Sequence, residues 1–248
     1  MVSRSAGPRL VETAGSAGVP RRGSRPVQRV PIVVMHFGDI ALDDTEAVAR
    51  VAAIVVAEHG RGSNVVAMLP PYGQAAALLA KLVSEVTPSP HPRELDMLAS
   101  SSSSMATALC AMAVHRLGRR AVSLEAADVG ILTDGAHTRA EVVDTNPDRV
   151  AGELRLHGIV LVAARHGVAR DSAELTTLAP DERDLAAVAL AAALGAETCV
   201  FLSDERLNGG APVDDRAATL GRELGIEVSA VSADSLCSPQ FDASLRSV

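Results

Sequence analysis

The stretch "DERDLAAVALAAALGAETCVFL", residues 181–202, decides the fold. From Leu185 its small apolar residues read as a tightly packed helix, which Gly195 ends, and "TCVFL" (198–202) reads as a strand. A helix running straight into an apolar strand is one step of an α/β alternation, and the step recurs on both sides. "VPIVVMHFG" (30–38), "NVVAMLP" (64–70) and "GIVLVAA" (158–164) are continuous apolar strands, and "IEVSAVS" (226–232) closes the series. Between them helical spacing predicts a helix capped by Asp43 or Asp44, with Val48, Val51, Ala52 and Val55 on one face. Further helices are predicted at about 73–86 and 93–117, from Pro147, and near 214–223, with short strands and turns from Arg120 to Val143. Strands apolar on both faces imply a mainly parallel sheet covered by helices on each side.

Composition narrows the partners. The 248 residues are 48% hydrophobic but only 2% aromatic, with no Trp and Tyr72 as the single tyrosine, so the core is Ala, Val, Leu and Ile. A formal charge of −7 and so few aromatic faces argue against nucleic acid. Cys110, Cys199 and Cys237 are widely spaced without a CxxC pair, which reads as free thiols in a reducing, cytoplasmic setting with no metal site. Runs such as "LAAVALAAALGA" are too short for a bilayer, so no membrane partner is expected. Residues 1–29 are rich in Gly, Ser, Pro and Arg without an apolar core, and read as a disordered leader; the composition leaves a transit peptide open.

Parallel α/β sheets bind ligands at the carboxyl ends of their strands. Here those ends are "HFGD" (36–39), "LPPYG" (69–73), "ARHG" (164–167) and "SDERLNGG" (203–210). The charged turn Pro180–Asp184 opens a helix, so its N–H groups are expected to wall the same cleft.

With "PRELDML" (92–98), "GILTDGAHTRA" (130–140), "TTL" (176–178) and "DLAAVALAAALGA" (184–196) in this order, the chain resembles the catalytic domain of aspartokinases, in the amino-acid-kinase superfamily. The similarity runs from about Val30 to Ala211. It implies a three-layer α/β sandwich with a mainly parallel central sheet of about eight strands, over a single domain at 30–248. It also implies dimerisation, and the family's regulatory ACT domains are expected to be absent before Val248.

The retained motifs are framework; the chemical positions differ. The family's Lys-Phe-Gly-Gly-Thr-Ser strand end, whose Lys contacts the transferred phosphate, corresponds to His36-Phe37-Gly38-Asp39-Ile40-Ala41. Its substrate Glu corresponds to Ser103 within "SSSSS" (100–104), and its Arg-Gly-Gly-Ser-Asp loop to Pro180–Asp184, keeping Asp184. Its nucleotide loop keeps only Asp204, and its Ala-Gly-Phe-Gln-Gly loop becomes Ala163-Ala164-Arg165-His166-Gly167. Acids at Asp39, Asp181 and Glu182 would oppose a polyphosphate.

The candidate catalytic residues are His36, His166 and Asp184, two imidazoles that titrate near neutrality and a carboxylate to orient a base. Arg165, Ser103, Asp204 and Tyr72 are the candidate substrate-binding residues, Arg165 as a fork for a carboxylate. No cofactor is expected. Three functions compete: an ATP-independent biosynthetic enzyme doing elimination, isomerisation or cyclisation on a small polar metabolite; a non-catalytic pseudokinase partner or scaffold of another enzyme, as a homodimer or paired with a homologous enzyme; and a weak aspartate kinase.

Overall fold

The computed structural model describes residues 30–204 and 213–233; the expected leader and Cys237 lie outside them. In chain order the first elements are β1 (Ile32–Asp39), α1 (Thr45–Gly60), β2 (Asn64–Leu69), α2 (Gly73–Val86) and α3 (Pro92–Arg116). Then come β3 (Val122–Leu124), the single turn α4 (Ala126–Val129), β4 (Ile131–Thr133), β5 (Val142–Thr145) and α5 (Asp148–His157). The chain continues through β6 (Ile159–Ala163), β7 (His166–Ala169), β8 (Leu175–Thr177), α6 (Glu182–Leu194), β9 (Thr198–Ser203), α7 (Asp215–Leu224) and β10 (Glu227–Ser232).

The central sheet has six strands in the order β10-β9-β1-β2-β6-β3, all paired in parallel. Strand alternation divides its side chains between two cores. Val34, Val66, Met68, Val160 and Val162 face one layer with α5, α6 and α7. Met35, Phe37, Val65, Ala67, Leu69 and Leu161 face the other, with α1 and α3. Each large side chain buried this way contributes about 1.5–3 kcal/mol relative to exposure. Asp44 caps α1, its carboxylate accepting from the Ala47 N–H at 2.8 Å.

The expected sheet of about eight strands is corrected. β4, β5, β7 and β8 form a separate four-stranded sheet in the order β5-β4-β7-β8, with two antiparallel pairs. Its strands are only three or four residues long. β6 ends at Ala163 and a two-residue turn re-aims the chain, so β7 pairs with β4 instead of extending the central sheet. Pro147 stands at the N-cap of α5 rather than in its first turn.

By length and composition α3 would suffice to cross a membrane. Here it packs on α1, β6 and β8 and buries Asp96, Ser102, Ser103 and Thr107, as a long core helix does. The "SSSSS" run is helical throughout.

Candidate functional site

The charged turn before α6 is anchored from α7. Arg216 donates to Asp181 Oδ2 at 3.0 Å and to Glu182 Oε1 at 2.9 Å, and Glu182 Oε2 accepts from the Val142 N–H at 3.1 Å. Two of the acids expected to repel a polyphosphate are therefore answered by a guanidinium. Between them and Asp184 stands Arg183, whose positive charge acts on both His36 and His166.

β1 carries His36 on the same face as Val34, toward α6. The ring packs on Phe201 with centroids 5.2 Å apart, and Nδ1 lies 3.7 Å from Asp184 Oδ1. Nε2 is buried without a hydrogen-bond partner. Burial, then the charge of Arg183, push this imidazole from 6.5 down to about 4, so it is neutral at pH 7. Gly38 follows because a Cβ there would run into the His36 ring.

His166 opens β7 opposite Thr177. Its Nδ1 is 3.3 Å from Ser103 Oγ on α3, and its Nε2 is likewise buried without a partner. Burial first, then Arg165, lower it to about 4, with Asp96 opposing and Arg183 adding. Buried polar atoms are nearly always paired, so two orphaned imidazole nitrogens under one cation are unusual.

His166 also lines a cavity of about 360 Å³ between α2 and α3. The walls are apolar, with Leu79, Val83, Leu95 and Leu98, while Arg165, His166, Asp96, Ser102, Thr138 and Thr177 supply polar groups. Asp96 is buried, pairs with His137 Nδ1 at 2.7 Å, and accepts the Thr138 N–H at 3.0 and 3.1 Å. That bond holds Thr138 at a φ of 66°, a left-handed conformation costly for a β-branched residue.

The candidate residues thus fall into separate groups. Arg165 and His166 share the cavity, Ser103 holds His166 from behind, and His36 pairs with Asp184 beside α6. Asp204 sits apart at the end of β9, accepting from the Ala41 N–H at 2.7 Å and from Arg50 at 2.6 Å, which ties β9 to the β1–α1 loop. The partly buried Tyr72 packs against the α1–α3 core. Among the described residues no group of three or more His, Cys, Asp or Glu is placed to hold a metal ion.

Sequence reasoning missed Arg183 and Thr138. Arg183 was legible as the one cation in an acidic turn, but its reach to both imidazoles is tertiary. Thr138 belongs to a retained motif, and nothing in the string marks its positive φ.

A parallel sheet between helical layers, with polar groups gathered near its strand ends, defines an α/β ligand-binding or group-transfer fold. The chain belongs to the amino acid kinase family, whose model matches residues 31–206. Within that family it is similar to aspartokinase catalytic domains. The Mycobacterium bovis aspartokinase is 37% identical over 193 residues, 78% of this chain and 45% of that protein. For the Corynebacterium glutamicum aspartokinase the identity is 37% over 173 residues, 70% of this chain and 41% of that protein. The chain thus spans about half the length of the curated relatives it matches. Among solved structures, the aspartate kinase from Synechocystis superposes with a TM-score of 0.65 at 26% identity, over 82% of this chain and 38% of that one. Giardia carbamate kinase shares the fold at a TM-score of 0.62 and 15% identity, over 87% of this chain and 96% of that one.

Proposed function

We propose that this member of the family works without ATP, as a biosynthetic enzyme performing acid/base chemistry on a small metabolite. The observation that carries the reading is His166, buried on a cavity wall, held at Nδ1 by Ser103, with Nε2 unsatisfied. With Nδ1–H donating to Ser103 Oγ, Nε2 keeps an unshared lone pair; it is sealed from solvent, so a side-chain shift on binding must open it to a substrate proton. Its neutrality at pH 7 leaves the lone pair unprotonated, at a basicity lowered by burial. His36 lies 3.7 Å from Asp184 on the α6 side, outside the cavity's lining, so His166 is the imidazole placed to take the proton. Elimination, isomerisation and cyclisation each begin with such a proton abstraction. Against phosphoryl transfer stand an uncharged His36 at the family's phosphate-contacting Lys position and Asp39 at a phosphate glycine.

The test has two arms. Calorimetric titration with ATP and Mg²⁺ should give no binding heat in the micromolar range, and such heat would restore the weak-kinase reading. Incubation with a cytoplasmic metabolite extract, followed by mass spectrometry, should show a metabolite consumed without ADP formation. The His36→Ala/His166→Ala variant should lose that turnover by at least ~100-fold, the low end for a positioned general base. Unchanged turnover would end the acid/base reading.

One observation favours a second reading, association with another copy or a homologous enzyme. Met97, Met105 and Met112 on α3 are exposed along one helical face, as are Leu78, Leu82 and Val86 on α2. Sedimentation of the purified chain as a monomer would remove it. The free, buried thiols of Cys110 and Cys199 support a reducing, cytoplasmic setting.

A further inference from the structure

The cavity between α2 and α3 has walls and a polar end that specify different parts of one ligand. Leu79 and Val83 from α2 and Leu95 and Leu98 from α3 offer no donor or acceptor from their side chains. The volume of about 360 Å³ falls at the lower end of the roughly 300–1,000 Å³ usual for small-molecule pockets. At the polar end stands Arg165, half-buried, whose guanidinium makes no hydrogen bond or ion pair among the described residues. Most long cations that give up this much water are paired. His166 lines the same cavity, its unpaired Nε2 sealed from solvent, and Thr177 adds a hydroxyl.

We infer that this cavity binds a small amphipathic monocarboxylate, its head on Arg165 and His166 and its apolar body between Leu79, Val83, Leu95 and Leu98. One anionic charge matches Arg165, the one Lys or Arg among the described residues lining this cavity. A dianionic phosphate head would face Arg165 alone, with the neutral His166 beside it and the buried Asp96 carboxylate in the same wall. A second carboxylate, as in aspartate, would meet the hydroxyls of Ser102, Thr138 and Thr177 and the like-charged Asp96 but no second lining cation, and burying an unpaired charge costs several kcal/mol. The carbon skeleton is therefore apolar beyond its acid group. This ligand class rests on reading His166 as the working imidazole, because it puts the carboxylate beside the His166 ring. The first carbons beyond the head are then the ones within reach of proton abstraction.

Octanoate is the probe, titrated calorimetrically into the full chain alongside octanamide and aspartate. Octanoate should bind at least tenfold more tightly than either comparator. Arg165→Met should weaken octanoate at least tenfold and leave octanamide unchanged. Ala76→Trp, which fills the α2 side of the cavity at a half-buried position, should weaken both acid and amide while the thermal midpoint holds. Preference for aspartate, or equal octanoate affinity in Arg165→Met, overturns the ligand class. Histidine-dependent turnover with no octanoate binding sinks this inference alone. Octanoate binding with turnover indifferent to both histidines supports the ligand and sinks the enzymatic reading instead.

Discussion

Replacing Asp96 by Ala should be among the most damaging single substitutions outside the apolar core. The carboxylate is 1% exposed, accepts the Thr138 N–H at 3.0 and 3.1 Å and pairs with His137 at 2.7 Å. Ala removes every acceptor at once. A lost charge-assisted bond and an orphaned N–H together cost about 2–4 kcal/mol. Some of that returns, because Thr138 at a φ of 66° is strained by about 1–2 kcal/mol and the loop can relax once released. The expected net loss is about 1–3 kcal/mol, or roughly 2–12 °C in melting temperature for a domain of this size. Asp96→Asn keeps one oxygen for the Thr138 N–H and should lose about half as much. Thr138→Gly, which adopts the left-handed region freely, should instead stabilise by about 1 kcal/mol. Thermal unfolding followed by far-UV circular dichroism measures all three, and suits a chain with no Trp. An Asp96→Ala variant melting within about 1 °C of the parent, or a destabilised Thr138→Gly, would refute the idea that Asp96 holds a strained turn in place.

Two further outcomes follow from the same geometry. The unfolded chain protonates its imidazoles near pH 6.5, but folded His36 and His166 do so only near about 4. On acidification the unfolded state takes up protons first, so stability is full above pH 6.5 and falls below it, by about 2 kcal/mol per imidazole at pH 5. Urea melts at pH 7, 6 and 5 should show that slope, and the His36→Gln/His166→Gln variant should flatten it; an unchanged slope would mean that neither ring is buried neutral. Gly130→Ala should lower the urea midpoint by the equivalent of about 2–4 kcal/mol, because φ there is 82° and a Cβ would collide with the Asn146 carbonyl oxygen. An unaffected midpoint would show that the turn into β4 does not pass against residue 146.

The central architecture was legible because its signals are local. The apolar runs at 65–69 and 159–163 are buried on both faces, with Ile32 and Val33 partly buried ahead of the buried Val34, and such strands occur in parallel sheets flanked by helices. The Asp44 cap and the helical serine run were readable from neighbours within one turn. The second sheet was not, since nothing in four-residue segments such as "HGVA" says which partner they choose. For the same reason the two imidazoles were identifiable, but not their division between the α6 side and the α2–α3 cavity. The pairing of Glu182 with Arg216 joins residues 34 positions apart, so the turn read as a bare cluster of acids when it is a strut to α7.

That strut changes which term opposes a polyphosphate. With Asp181 and Glu182 engaged by Arg216, and Arg183 adding a cation, the turn is less hostile than its residue types suggest. On the proposed reading the heavier term is at the end of β1, where the family resemblance implies a lysine and this chain has a ring that stays neutral until about pH 4. For His36 to serve a phosphate at pH 7 as Lys would, the ligand must drive its protonation against about three pH units, roughly 4 kcal/mol. That lowers affinity about a thousandfold relative to a site already charged. MgATP affinity rising steeply from pH 7 to pH 5, in step with charging of His36 and lost in His36→Ala, would identify a kinase site waiting for a proton. Absence of binding at both pH values is what a cleft given over to other chemistry requires.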